Sequence, residues 1–275
     1  MATVHLGTSG YVYRDWKGRF YPSDLPARRW LSWYARVFTT VELNATFYRL
    51  PTPDAVDRWR AEVPGGFRFA CKGSRFLTHL KRLTDVDEGL ERFYAPVLRL
   101  GRKLGPVLWQ LPPFLRRPDP ERLDRFLAHQ PRSIRQVVEF RDVAWYHPEV
   151  LAVLDAHRAA VCEHDLLPVP PPRPTGGLRY LRFHGTTGRY SGRYGRAALV
   201  RVARGLKTWR EHGHTAWVFF NNDLGGHALL DALDLSELLG LPARAPLDME
   251  RPSAEERSGT ARRPRSRGAA TSRHA

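Results

Sequence analysis

A closed parallel (β/α)8 barrel of the TIM type is the fold this sequence predicts, on three observations. Eight short apolar runs recur along the first ~240 residues, most of them followed by a helical pattern. The runs are hydrophobic nearly throughout, as strands buried on both faces are. A strand–helix alternation repeated about eight times over about 240 residues has the size of a closed barrel. The alternative, an open doubly wound sheet, lacks its usual sign, because no glycine-rich dinucleotide loop follows the first run.

The strand-like runs lie at 4–8, 40–44, 67–72, 107–111, 136–141, 160–164, 179–185 and 217–222. Helices between them are signalled by caps. Thr52-Pro53 precedes Val56, Trp59 and Val63, and Asp119-Pro120 precedes Leu123, Phe126 and Leu127. Asp85 with Glu88 reads as a capping box, and Pro96 is expected to kink the helix that follows. Between His164 and Arg179 the chain is too proline-rich for a helix, so the sixth connection is expected to be an extended loop. Trp30, Trp33, Trp59 and Trp209 fall on helical patterns and belong to packing.

Composition bounds the class. Of 275 residues, 42% are hydrophobic and 26% charged, enough for a sizeable core and unlike a disordered chain. No apolar run approaches the ~20 residues that cross a bilayer, and the N-terminus has no signal pattern, so a cytoplasmic protein without a membrane partner is expected. Cys71 and Cys162 sit in apolar runs and read as buried thiols. The net charge of +16 is uneven, because six arginines and no acid occupy residues 257–275. Without those six, 38 basic residues still face 28 acidic ones, a net of +10. The expected organisation is a barrel domain over 1–240 and a disordered Arg-rich tail over 241–275, with non-specific nucleic-acid binding as the tail's expected role.

The polar residues gather where barrel ligands do, at the strand ends. Glu42 and Asn44, two residues apart, face one way from the second run. Lys72, Gln110, Glu139 with Arg141, Arg182 with His184, and Asn221, Asn222 and Asp223 end later runs. Together they predict a cup of carboxylates, cations and amides. Glu139 and His184 are the expected acid/base pair: Arg141 would keep the carboxylate ionised, and histidine titrates nearest neutral pH. Glu42 is the further acid/base candidate, while Lys72, Arg141 and Arg182 would hold substrate charge and Asn44, Gln110, Asn221, Asn222 and Asp223 its hydrogen bonds. The opposing reading is a buried ion network that plugs the barrel.

Tyr13 and Trp16 lie in the first loop and are expected to wall the ligand. The glycine-rich segment 185–195, with Arg189 and Arg193, is the candidate anion-binding loop. A metal site built from Glu42, Glu139, His184 and Asp223 has no short-motif spacing behind it. Cys162 and His164 on one strand lie ~6–7 Å apart, too far for thiol activation. No cofactor or oligomeric state is legible.

Gly7-Thr-Ser-Gly10, then Tyr13, Trp16, Gly18 and Phe20-Tyr-Pro22, open a series of separated motifs. Glu42-Leu-Asn-Ala-Thr-Phe-Tyr48, Thr78-His79, Gln110-Leu-Pro-Pro113, Glu139-Phe-Arg141 with Trp145, Arg182-Phe-His-Gly185, Tyr190-Ser-Gly192 and Phe220-Asn-Asn-Asp223 continue it. Over roughly 3–240 the chain resembles the YecE-like family, domain of unknown function seventy-two. The resemblance implies a (β/α) barrel of the kind shared with sugar isomerases and some nucleases. It names no substrate. Tyr11, where the family commonly has tryptophan, and the charged Cys162-Glu-His-Asp165 depart from its pattern. The expectation is an enzyme acting on a small anionic, sugar-phosphate-like or nucleic-acid-derived substrate; the alternative is a non-catalytic module that binds a ligand or nucleic acid.

Overall fold

The computed structural model describes residues 2–188 and 190–241. Arg189 and the tail beyond Leu241 lie outside the described residues, and with them the expectations placed on both. Eight parallel strands form one sheet: β1 (Val4–Thr8), β2 (Thr40–Leu43), β3 (Arg68–Lys72), β4 (Leu104–Gln110), β5 (Gln136–Glu139), β6 (Ala160–His164), β7 (Leu178–Phe183) and β8 (Thr215–Phe220). The order β1-β8-β7-β6-β5-β4-β3-β2 brings β1 and β2 together as the closing edges, and all eight sequence runs are strands. The sixth connection carries no helix, as its prolines dictate.

The helices are α1 (Trp30–Tyr34), α2 (Ala45–Tyr48), α3 (Pro53–Glu62), α4 (Asp87–Val97), α5 (Pro120–Ala128), α6 (Pro148–Ala156), α7 (Gly195–Glu211) and α8 (His227–Leu239). Thr52 and Asp119 cap α3 and α5, accepting from the Ala55 and Arg122 amides. Asp85 does not cap α4. It takes a left-handed φ of 48°, the helix begins after Val86, and no side chain caps it. Pro96 falls at the close of α4 and so ends the helix rather than bending its middle; a 3-10 segment follows.

Two cores result from strand alternation. Outward side chains pack under the helices, with Trp109, Trp145, Phe93 and Phe126 among the largest buried. Inward ones form a separate small core of Ala70, Leu108, Val137, Ala160, Cys162, Leu178, Tyr180, Trp217 and Phe219. Closure at the β1–β2 seam is unusual. A bridge joins Ser9 to Glu42, and below it the Tyr34 hydroxyl stands in for a ladder rung. The Thr8 amide donates to that hydroxyl at 2.9 Å, and the hydroxyl lies 3.1 Å from the Thr40 carbonyl it donates to. Gly7 is required there, because a Cβ would come within 2.1 Å of the Thr40 oxygen.

Candidate functional site at the C-terminal mouth

Two residues beyond the lumen core on each strand, alternation returns the same face of the chain. Ala70 is followed by Lys72, Leu108 by Gln110, Val137 by Glu139, Cys162 by His164, Tyr180 by Arg182 and Phe219 by Asn221. These residues, with Glu42 and Ser9, form the top layer of the lumen. All are at least nine-tenths buried. A strand interior would ordinarily reject so many polar groups, so their hydrogen bonds decide what the layer is.

Its centre is Arg182. Nη2 donates to Glu42 Oε1 at 2.8 Å and to Ser9 Oγ at 3.1 Å, and Nη1 donates to Glu139 Oε2 at 2.6 Å. Glu42 accepts further bonds from Ser9 Oγ and, at 2.6 Å, from the Tyr180 hydroxyl. Glu139 accepts another from Arg141 Nε. Of the polar side-chain atoms of Arg182, Glu42 and Glu139, Arg182 Nε is left without a partner among the described residues. Ion pairs this deeply buried must be fully bonded to be tolerated, and here they nearly are. The sequence-predicted Glu42, Glu139, Arg141, Arg182 and His184 are therefore brought together, in the manner of the plug.

Electrostatics separates their roles. Burial alone would raise the Glu139 carboxyl, but Arg182 and Arg141 hold it well below the usual carboxylate range. Arg182 is pushed well up by the two carboxylates against the cost of burial. His184 is lowered by burial despite its bond to Asp165, whose Oδ1 lies 2.9 Å from Nδ1. With Nδ1–H given to Asp165, Nε2 turns its lone pair toward Arg182 Nη1 at 3.4 Å. His164 is likewise lowered by burial. Its Nε2 lies 2.7 Å from the Phe140 carbonyl and its Nδ1 accepts from the Leu166 amide. Both histidines are thus neutral spacers at neutral pH, and Glu139 is a fixed anion.

Lys72 differs. Burial, and then Arg182, lower its ammonium to about 8, and it sits 4.3 Å over the Phe47 ring with no carboxylate in ion-pair range among the described residues. Asp223, half-buried after β8, is raised to about 6 by burial and by Asp15, against the lowering effect of a hydrogen bond from its own backbone amide. The Gln110 and Asn221 side chains and Asn44 Oδ1 lack a hydrogen-bond partner among the described residues, Asn44 Oδ1 being fully buried. Unbonded amide groups and an ammonium without a carboxylate among the described residues thus lie above a bonded floor.

Four sequence-predicted residues are used elsewhere. Trp16 is wholly buried, packs on Tyr13, Phe20 and Tyr21, and donates to the Asp223 carbonyl at 3.1 Å. Tyr13 donates to the Ser9 carbonyl beside the floor. Asn222, in the outward phase, donates to the Gly192 carbonyl and to Asp231, both at 2.8 Å. Arg193 pairs with Asp231 and Asp234 on α8. In the loop after β7 the amides of Gly185, Thr186, Tyr190 and Gly192 are all given to protein acceptors. Sequence reasoning missed Tyr180 and Asp165. Tyr180 was signalled by its phase, two residues before Arg182; Asp165 carried no local sign. Among the described residues no group of three or more His, Cys, Asp or Glu is placed to hold a metal ion, and no helix is long and apolar enough to cross a membrane.

Fold and mouth together define the class: a (β/α)8 barrel whose C-terminal end carries a buried ionic floor beneath a polar rim. The family model described as protein of unknown function DUF72 matches residues 5–256, and the chain belongs to that family. The match runs past Gly240, where the motif resemblance stopped. The UPF0759 protein YunF of Bacillus subtilis is 27% identical over 271 residues, 86% of this chain and 95% of YunF. The UPF0759 protein YecE of Escherichia coli is 33% identical over 119 residues, 43% of this chain and 42% of YecE. The crystal structure of a DUF72 family protein from Thermotoga maritima superposes with a TM-score of 0.78 at 28% identity, covering 86% of this chain and 99% of that one. A DUF72 family protein from Enterococcus faecalis shares the fold at a TM-score of 0.75 and 20% identity, over 87% of this chain and 96% of that one.

Proposed function

We propose that the mouth binds a small anion bearing hydroxyl groups, of the sugar-phosphate kind, and that the protein is an enzyme acting on it. One observation carries the reading. Lys72, Arg141 and Arg182 are three cations electrostatically coupled to only two carboxylates, Glu42 and Glu139, and the ammonium is the group left over. A buried positive excess is costly in the empty protein, and a bound phosphate or carboxylate relieves it. Gln110, Asn221 and Asn44 offer uncharged donors and acceptors suited to hydroxyls.

For the chemistry, Asp223 at about 6 and Lys72 at about 8 lie on either side of neutral pH, where a group gives and takes protons most readily. Glu139 and Glu42 hold Arg182 in place, and His184 holds its orientation. The test is calorimetry with phosphorylated sugars, their unphosphorylated forms and inorganic phosphate, paired with NMR of each ligand over time. Saturable binding of phosphorylated forms, weakened about tenfold or more by Lys72→Met, is expected; equal affinity for the unphosphorylated sugars would sink the reading. The fully bonded floor also suits a binding module without turnover. In that case the NMR spectra stay unchanged with every ligand that binds, whereas in an enzyme Asp223→Asn keeps binding and loses conversion.

A further inference from the structure

We propose a second anion site at the opposite, N-terminal end of the barrel, where a cavity of about 700 Å³ takes an organic polyanion such as a nucleoside diphosphate. The cavity opens where β3, β4, β5, β7 and β8 begin. Arg68, Arg102, Arg135 and His214 line it together with apolar surface from Ile134 and Trp217, and none of its lining residues is acidic. A volume of this size falls in the ~300–1,000 Å³ range of ordinary ligand sites.

The three guanidinium groups have no carboxylate among the described residues. Arg68 Nη1 donates to the Gly65 and Phe67 carbonyls, each at 3.0 Å. Arg135 Nη2 donates to the Gly176 carbonyl, while its Nε is buried without a hydrogen-bond partner among the described residues. Arg102 is exposed, and its side chain makes no hydrogen bond or ion pair among the described residues. The positive field reaches inward: after burial, Arg68 is what holds His5 down to about 4, and Arg158 adds to burial in lowering Arg135. The N-terminal end of such a barrel ordinarily serves stability. Three unpaired cations around one cavity work against stability, so a ligand that neutralises them accounts for their presence better than packing does.

Arginine presents paired N–H donors that match phosphate oxygens, so two linked phosphates suit the three guanidinium groups. Ile134 and the edge of Trp217 offer the apolar contact that a ring-bearing ligand would use and an inorganic ion would not. This site is independent of the mouth and of the function proposed for it.

Calorimetry of the full chain with adenosine diphosphate and with inorganic pyrophosphate tests the proposal. Both should bind with one-to-one stoichiometry, adenosine diphosphate at least threefold tighter. Arg102→Ala, which removes an exposed side chain and leaves the fold untouched, should weaken both about threefold or more, and Arg68→Gln with Arg135→Gln should weaken them more than tenfold. Lys72→Met, at the far end, should change neither. Absence of saturation below several millimolar overturns the proposal. So does binding that survives Arg102→Ala and the double substitution, or binding that is lost with Lys72→Met, which would place the ligand at the tail or the mouth instead.

Discussion

Arg182 on β7 and Glu42 on β2, 140 residues apart in the chain, meet across the lumen through a 2.8 Å bond between groups that are 1% and 0% exposed. Removing one partner of such a pair strands the other charge in low dielectric, which costs about 3–5 kcal/mol. Glu42→Gln should therefore destabilise the protein by roughly that amount, read by urea denaturation with the slope unchanged. Unchanged or raised stability would mean that the floor is not a closed ion network.

Lys72 makes the opposite prediction. Its folded value of about 8 lies below the usual 10.5, so the charged form is disfavoured in the fold. The stability linked to it is complete above pH 10.5 and is lost as pH falls through about 8. Lys72→Met should accordingly raise stability at pH 7 by about 2–3 kcal/mol, less whatever the Phe47 contact contributes, and gain little at pH 10.5. Denaturation at the two pH values reads the difference. A destabilised variant at pH 7 would contradict the electrostatic account.

Asp223 titrates the other way in sign. Its folded value, about 6 against 3.8, favours the protonated form, so the stability it contributes is present below pH 3.8 and lost as pH rises through about 6. Asp223→Asn should flatten the stability profile between those limits. In the enzyme reading it should also remove the limb near pH 6 from the rate profile. A variant profile that matches the parent's would show that another group sets both.

Tyr34→Phe tests the seam. The substitution keeps the ring and removes the hydroxyl that serves Thr8 N–H and Thr40 C=O, leaving two buried backbone groups unpaired. The expected loss is about 1–3 kcal/mol, with faster amide exchange at Thr8 than elsewhere in β1. Uniform exchange along the strand would place the closure elsewhere.

The architecture was readable because each strand is a run of apolar residues and each βα unit is local. The floor was readable for the same reason, since strand phase alone puts Glu42, Glu139 and Arg182 on one face. What phase cannot give is which charges neutralise which. Glu139 looked like a base because Arg141 is two residues away; Arg182, arriving from β7, makes it a fixed anion. Asn222 and Arg193 stood in polar motifs near the mouth, but their partners Asp231 and Asp234 lie on a later helix. Asp85 resembled a cap until a left-handed backbone removed it from the helix. Long-range pairing decides all of these, and no window of sequence contains it.

The floor also sets an order of assembly. Ribosomes deliver Glu42 and Glu139 well before Arg182, so the nascent barrel holds two inward carboxylates whose bridging cation has yet to be made. β8, which pairs with β1 and so completes the ring, follows that cation in the chain. A fragment ending at Thr175, before β7, should stay open to protease in the β2–β5 segment, while the same segment in the whole protein resists it. Equal resistance in the two would mean that the early strands set without their counter-charge.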